Sequence, residues 1–274
     1  MEKARTAFFV SDRTGITAET LGHSLLTQFD GVNFRQVTVP FMSSVDKAEA
    51  FKERLAATAR EEGEKPIVFS TLIDDEIRDI VSTGECLFLD FFDAFIGPLE
   101  KELQIKSSHT AGRAHGMQDQ ANYTQRIEAM NFALANDDGI TTRNYDKSDV
   151  ILVGVSRSGK TPTCLYLALH YGLFAANYPL TEEELESGRF PKVLLPYRHK
   201  LFGLTIDPGR LQQIRSERRP DSRYASAGQV NLELRQAENM YRTANVPFTN
   251  TTNSSIEEIA TTIIHETGIK RRFF

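Results

Sequence analysis

Two periods of apolar residues alternate along the first hundred residues of the chain. Short apolar runs, typical of buried strands, predict strands over residues 6–11, 33–39, 66–70 and 86–90. Between and after them, apolar residues recur every three or four positions, which predicts helices over residues 17–28, 45–62, 74–83 and 92–103. Strands that alternate with helices in this way predict a parallel sheet with helices on both faces.

This periodicity stops at a polar stretch over residues 106–121. We therefore predict two domains, an N-terminal βα domain over residues 1–106 and a second domain over residues 107–274. His109 and His115 lie in the polar stretch together with Arg113. Their spacing does not suit a metal site, so we interpret them as loop residues near a phosphate or partner site.

The second half of the chain returns to alternating strands and helices. Strands are predicted over residues 150–153, 174–177, 201–206 and 247–250. Helices are predicted over residues 123–136, 160–171, 182–187, 208–218 and 232–243, with a last helix after Ser255, which forms a capping-box pattern with Glu258. The predicted fold class is α/β, an N-terminal parallel βα domain followed by a P-loop kinase-like α/β domain.

Composition narrows the class of protein. Of the 274 residues, 40% are hydrophobic and 25% are charged, as in an ordinary globular protein. No apolar run approaches the roughly 18 residues of a membrane helix, and no signal peptide is apparent. A formal charge of -5 gives no general attraction to nucleic acid or anionic membranes. We therefore expect a cytoplasmic protein without nucleic-acid or membrane partners.

One segment carries specific chemistry. Residues 154–161 fit the pattern G-x-x-x-x-G-K-[ST] of a phosphate-binding P-loop and lie between a predicted strand and a predicted helix. In such a loop, backbone N–H groups and the helix N-terminus bind phosphates, the lysine reaches the terminal phosphates and the hydroxyl residue binds Mg²⁺. The predicted nucleotide-binding residues are Gly154, Val155, Ser156, Arg157, Ser158, Gly159, Lys160 and Thr161.

Arg157 is unusual within such a loop, and two interpretations stay open. Its guanidinium could stabilise charge on a transferred phosphoryl group, or it could point into solvent.

Five aspartates compete for the role of catalytic carboxylate. Asp146 and Asp149 lie just before the P-loop strand, and Asp137 and Asp138 end the preceding helix. We favour a functional role for the second pair, because two carboxylates at a helix C-terminus oppose the helix dipole. Asp207 follows an apolar strand as a Walker B carboxylate would, but Pro208 follows it, and we prefer a helix N-cap.

Segments in both predicted domains resemble the phosphoenolpyruvate synthase regulatory proteins, which are related to the pyruvate, phosphate dikinase regulatory proteins. The most specific is the P-loop itself, with Val-Ser-Arg inside it and Thr-Pro after Lys160. The other segments that carry the resemblance are residues 16–19, 115–116, 137–140, 175–179, 200–208 and 255–260.

The resemblance implies a bifunctional enzyme. One activity would use ADP to phosphorylate a threonine of phosphoenolpyruvate synthase, as a serine/threonine protein kinase that inactivates its target. The other would use inorganic phosphate to remove that group and release pyrophosphate. The resemblance also implies Mg²⁺ and an aspartate base before the P-loop strand, with Asp149 the nearest match and Asp146 the alternative. Whether the chain forms a homodimer stays open.

Two other functions compete with this one. A kinase of a small metabolite would need a lid rich in arginine, which the segment after the strand at residues 201–206 could supply through Arg210, Arg215, Arg218, Arg219 and Arg223. A nucleotide-binding regulator without catalysis would need the P-loop alone.

Overall fold

The computed structural model describes residues 4–108, 120–139, 142–270 and 272. The chain divides into two compact units, Met1–Gly116 and Met117–Phe274. Residues 109–119 lie outside the described residues, so the boundary at residue 106 and the roles of His109, Arg113 and His115 stay predictions.

The first unit is a four-stranded parallel sheet. Its strands are β1 (Arg5–Val10), β2 (Phe34–Val39), β3 (Ile67–Ser70) and β4 (Leu87–Asp90). Its helices are α1 (Ile16–Leu26), α2 (Val45–Glu62), α3 (Asp75–Ser82) and α4 (Phe91–Leu103). The strand order is β2-β1-β3-β4, and each neighbouring pair is parallel.

Alternate residues of β1 enter two separate cores. Phe8 and Val10 pack with residues of α2 and α3, whereas Ala7 and Phe9 pack with residues of α1. Because neighbouring side chains of a strand point to opposite faces, this packing gives three layers, helix, sheet and helix.

The second unit also contains a four-stranded parallel sheet. Its strands are β5 (Val150–Gly154), β6 (Ala175–Pro179), β7 (Leu201–Thr205) and β8 (Phe248–Asn250), in the order β6-β5-β7-β8. Its α-helices are α5 (Gln120–Ala135), α6 (Lys160–Tyr171), α7 (Glu182–Ser187), α8 (Pro208–Arg218), α9 (Ala227–Ala244) and α10 (Ile256–Thr267). Short 3₁₀ segments cover Tyr145–Lys147, Lys192–Lys200 and Arg223–Ala225.

The central strand β5 is buried along its whole length. Ile151 and Val153 face a core to which α9 contributes most of the helical side chains, and Val150 and Leu152 face a core built from α5, α6 and α10. β5 therefore presents its carboxyl end between two helical layers. Within the described part of the chain, no helix is long and apolar enough to cross a lipid bilayer.

The predicted α/β class is confirmed, and most predicted elements match to within a few residues. The main difference is α9, which begins at Ala227 rather than at residue 232, because the Ser226 side chain accepts a hydrogen bond from the Gln229 N–H. The 3₁₀ segment over Lys192–Lys200 was not predicted, since its sequence has no helical periodicity.

The predicted capping box at α10 is present, with Ser255 Oγ accepting from Glu258 N and Glu258 Oε2 accepting from Ser255 N. We expect Ser255→Ala to destabilise the first turn of α10 by about 1 kcal/mol, because the N-cap hydrogen bond is lost. Amide hydrogen exchange in that turn should then be about fivefold faster. Thr261→Ala, at an exposed position of the same helix, is the matched control and should leave those rates unchanged. Equal rates in Ser255→Ala and the unmodified protein would show that the box contributes nothing.

Candidate phosphate-binding site

The predicted P-loop connects the carboxyl end of β5 to the N-terminus of α6. Gly159 has a φ of 91°, a left-handed conformation that favours glycine. A Cβ at Gly154 would lie 2.7 Å from the Leu204 carbonyl oxygen and 2.7 Å from Ser158 Oγ, so only glycine fits there without displacing its neighbours. The two glycines of the motif therefore fix the path of the loop into the first turn of α6.

Lys160 lies beneath this loop and is 4% exposed. Its Nζ donates to the Val155 carbonyl at 2.8 Å, across the loop. Burial lowers the pKa of this ammonium from 10.5 to about 8, while the nearby negative groups, among them Asp138 and Asp137, act in the opposite direction. No carboxylate in the described part of the chain forms a salt bridge with Lys160. Its charge is thus available to an anion in the loop.

A second buried cation binds the next carbonyl of the loop. Arg215 of α8 is fully buried, and its Nη2 donates to the Ser156 carbonyl at 3.1 Å. The same nitrogen donates to Glu233 Oε2 at 2.7 Å, so a carboxylate balances this guanidinium. Tyr224 lies 4.2 Å from the guanidinium, measured to the ring centroid, and its hydroxyl is 2.9 Å from Ser156 Oγ. Arg215 and Tyr224 therefore hold the tip of the loop against α8.

Asp137 is brought to the start of α6 by strand β6. Thr161 Oγ1 donates to Asp137 Oδ1 at 2.9 Å, and Asn177 of β6 donates to both of these oxygens. The backbone fixes this arrangement, because Asn177 N donates to Asn136 O at 3.0 Å and Gly139 N donates to Asn177 O at 3.1 Å. Asp137, predicted from sequence as catalytic, thus lies beside the hydroxyl predicted to bind Mg²⁺.

Asp138 takes a different position from its neighbour. It is exposed, has a φ of 56°, and lines a cavity of about 490 Å³ that also contacts Lys160 and Thr161. Arg218, Arg219 and Tyr224 also line this cavity, and such a volume suits a small phosphorylated ligand. Of the two adjacent aspartates, one contacts the start of α6 and the other faces the open cavity.

The structure does not bring Asp149 and Asp146 to the loop, which corrects the expectation that one of them acts there as base. Both precede β5, whose five residues span roughly 16 Å, whereas the loop follows β5. Asp149 instead accepts from Phe174 N at 2.8 Å and from Arg272 Nη2 at 2.8 Å. Asp146 is exposed in the turn before the strand. Closeness in sequence to the P-loop is misleading here because a strand separates the two.

Asp207 occupies the N-cap position of α8, as preferred, but its side chain caps no N–H group of that helix. Its Oδ1 accepts from Asn250 Nδ2 at 2.8 Å instead. Asp207 does not line the cavity beside the loop.

Arg157 is exposed at the cavity wall, with a φ of 75° that places it outside the usual range for a residue with a side chain. This position is compatible with both interpretations of its role, contact with a phosphoryl group or exposure to solvent.

Sequence reasoning missed three residues of the site. Asn177 was left out although it is a polar residue near the carboxyl end of a predicted buried strand, which is a usable signal. Arg215 was considered only as a lid arginine, and Tyr224 was not considered. Nothing in their local sequence shows that they reach Ser156, because those contacts join residues 59 and 68 positions apart.

The described residues contain no group of three or more His, Cys, Asp or Glu side chains that could hold a metal ion.

Comparison with known proteins points to one family. Residues 7–264 match the family model described as kinase/pyrophosphorylase. A protein of Legionella pneumophila strain Corby is 55% identical over 268 residues, which cover 98% of this chain and 99% of the relative. A protein of Laribacter hongkongensis strain HLHK9 is 54% identical over 274 residues, the whole of both chains. Both relatives are provisionally named phosphoenolpyruvate synthase regulatory protein.

On the expectation that ADP binds at residues 154–161, Gly154→Ala should lower the affinity for ADP by at least about tenfold, because the added methyl group would press on the Leu204 carbonyl and displace the loop. Isothermal titration of the full chain measures this. Gly209→Ala is the matched control, since a Cβ there meets open space, and it should bind ADP as the unmodified protein does. Unchanged affinity in Gly154→Ala would contradict the role given to this close approach.

On the same expectation that ADP binds at this loop, the lowered pKa of Lys160 predicts that ADP binding weakens as the pH rises through about 8. Below that pH the Lys160 side chain is a charged ammonium, and above it the side chain is a neutral amine that no longer attracts phosphate. The phosphate groups are already fully ionised over this range. Affinity should fall by at least about tenfold between pH 7.5 and 9.5. Lys160→Ala should bind ADP weakly at both pH values, with no such fall. A constant affinity in the unmodified protein would mean that the pKa is not lowered.

Proposed function

The chain belongs to the kinase/pyrophosphorylase family, and on that premise we propose that it reversibly phosphorylates a threonine of phosphoenolpyruvate synthase. In one direction ADP is the donor and AMP the product. In the other, inorganic phosphate removes the phosphoryl group and pyrophosphate is released. The names of the relatives support phosphoenolpyruvate synthase as the partner, and the predicted P-loop with its buried lysine supports a phosphate donor.

The observation that carries this proposal is that Asp137 and Asp138 occupy different positions beside the loop. Asp137 Oδ1 is already engaged by Thr161 and Asn177, whereas Asp138 is exposed in the cavity that contacts Lys160. We assign Asp138 as the general base, because a carboxylate at the open side of the cavity can reach a hydroxyl that arrives on another protein. Asp137 positions Thr161.

In the forward direction the threonine oxygen bonds to the β-phosphorus of ADP, and the bond from that phosphorus to the bridging oxygen breaks. The electron pair of the broken bond stays on AMP, and the hydroxyl proton goes to Asp138. In the reverse direction an oxygen of inorganic phosphate bonds to the phosphorus of phosphothreonine and pyrophosphate forms. The threonine oxygen leaves with the proton that phosphate gives up, transferred through Asp138. Lys160 stabilises negative charge on the phosphates in both directions.

The residues around Thr161 fit a Mg²⁺ ion. Mg²⁺ prefers oxygen ligands and usually binds one or two carboxylates together with substrate phosphates. Thr161 and Asp137 offer a hydroxyl and a carboxylate side by side, and the neighbouring Asn177 Oδ1 is buried without a hydrogen-bond partner in the described part of the chain. When bound, the ion would supply positive charge for the phosphate oxygens.

The test uses ADP labelled in its β-phosphate together with purified phosphoenolpyruvate synthase. We expect label on a threonine of the synthase, and we expect added inorganic phosphate to convert it to labelled pyrophosphate. Transfer to a free metabolite with the synthase unlabelled would favour a small-metabolite kinase instead. Lys160→Ala should still bind the synthase without transferring label. If it regulated the synthase normally, the chain would be a regulator without catalysis.

Asp138→Asn should lower the rate in both directions by at least about a hundredfold, because it removes the base, while the affinity for ADP stays within about twofold. Asp146→Asn is the matched control, since its carboxylate lies at the other end of β5, and it should keep full activity. Loss of activity in Asp146→Asn with activity retained in Asp138→Asn would reverse the assignment.

A further inference from the structure

The cavity beside the loop carries an excess of positive charge. Among the described residues that line it, four are cationic, Arg157, Lys160, Arg218 and Arg219, against one carboxylate, Asp138. Cations that converge on one cavity repel each other, and a bound anion relieves that repulsion. The cavity therefore favours ligands with more negative charge than a single phosphate carries.

Among the described residues, the arginines that line this cavity form no salt bridge, whereas two nearby arginines do. Arg215 pairs with Glu233 at 2.7 Å and Arg223 pairs with Glu182 at 2.5 Å. By contrast, Arg157, Arg218 and Arg219 form no salt bridge with any carboxylate in the described ranges. Arg210, in the same stretch and outside the cavity, donates to the neutral Gln213. The cavity arginines Arg218 and Arg219 thus keep their charge available to an anion.

The cationic side chains of the cavity differ in their exposure to solvent, which distinguishes a buried part from an exposed rim. Lys160 is 4% exposed beneath the loop, whereas Arg157, Arg218 and Arg219 are exposed at the rim. A free phosphate or a nucleotide can enter the loop, but a group attached to another protein can reach only the rim. The two places consequently suit two different anions.

We propose that Arg218 and Arg219, with Arg157, form a second anion subsite that takes the phosphate of a phosphothreonine side chain while the P-loop holds another phosphate. This inference rests on the proposed function, whose dephosphorylation step requires two phosphates to meet. A phosphothreonine carries nearly two negative charges at pH 7, and a guanidinium can bind such a group through two parallel hydrogen bonds.

Binding of a short phosphothreonine peptide to the full chain, with AMP present at saturation to fill the loop, tests the subsite directly. The double variant Arg218→Gln/Arg219→Gln should bind the peptide at least about tenfold more weakly and bind AMP within about twofold of the unmodified protein. The matched control Arg210→Gln/Arg223→Gln removes the same charge from the same segment outside this cavity, and it should change neither affinity.

Three outcomes would overturn the inference. Unchanged peptide binding in the first double variant would leave these arginines a structural role at the end of α8. Equal loss of peptide and AMP would make them part of the nucleotide site. Inorganic phosphate that binds the AMP complex as tightly as the peptide would assign the subsite to the free anion. If the unmodified protein bound the peptide as expected and yet released no pyrophosphate from phosphorylated synthase when inorganic phosphate was supplied without AMP, the subsite would stand and the proposed reaction would fail.

Discussion

The conformation of the phosphate loop depends on two buried cations that bind its carbonyl groups. A loop that turns its N–H groups towards a ligand leaves carbonyl oxygens on its outer side, and buried carbonyls need donors. Lys160 donates to Val155 and Arg215 donates to Ser156. Two consecutive carbonyls of the loop thereby accept hydrogen bonds from side chains of different helices, α6 and α8.

The two cations differ in how their charge is balanced, and this difference gives them different functions. Glu233 neutralises Arg215 at 2.7 Å, so this pair can stay fixed while ligands come and go. Lys160 forms no salt bridge with a carboxylate among the residues that the structure describes. Burial lowers its pKa to about 8, so an arriving phosphate would stabilise its charged form. On the other side of the loop, Asn177 joins Asp137 to Thr161 through side-chain bonds and holds residues 136–139 through its backbone. The parallel pairing of β6 with β5 is what places Asn177 there.

The sequence allowed the local parts of this site to be predicted, but not the contacts between distant segments. The strand, loop and helix around residues 154–161 could be predicted because the pattern is contained in consecutive residues, while phosphate binding by this loop stays a prediction. Asp137 and Asp138 were singled out because carboxylates oppose the dipole at a helix C-terminus, and the structure places them beside Thr161 and in the cavity, respectively. Their catalytic role stays a prediction. Asp149 and Asp146 were misplaced, since nearness along the chain does not show which end of a strand a residue occupies. The structural role of Arg215 was not predicted, because its burial depends on Glu233 and Tyr224, which meet it only in the folded unit.

A crystal structure of the full chain with ADP and Mg²⁺ tests the central claim most directly, that a loop held in place beforehand receives the phosphates. We expect Lys160 Nζ to leave the Val155 carbonyl for the phosphate oxygens. The contacts from Arg215 to Ser156 and from Asn177 to Asp137 should be unchanged. A nucleotide bound away from residues 154–161, or a loop that breaks the Arg215 contact to bind it, would contradict this account.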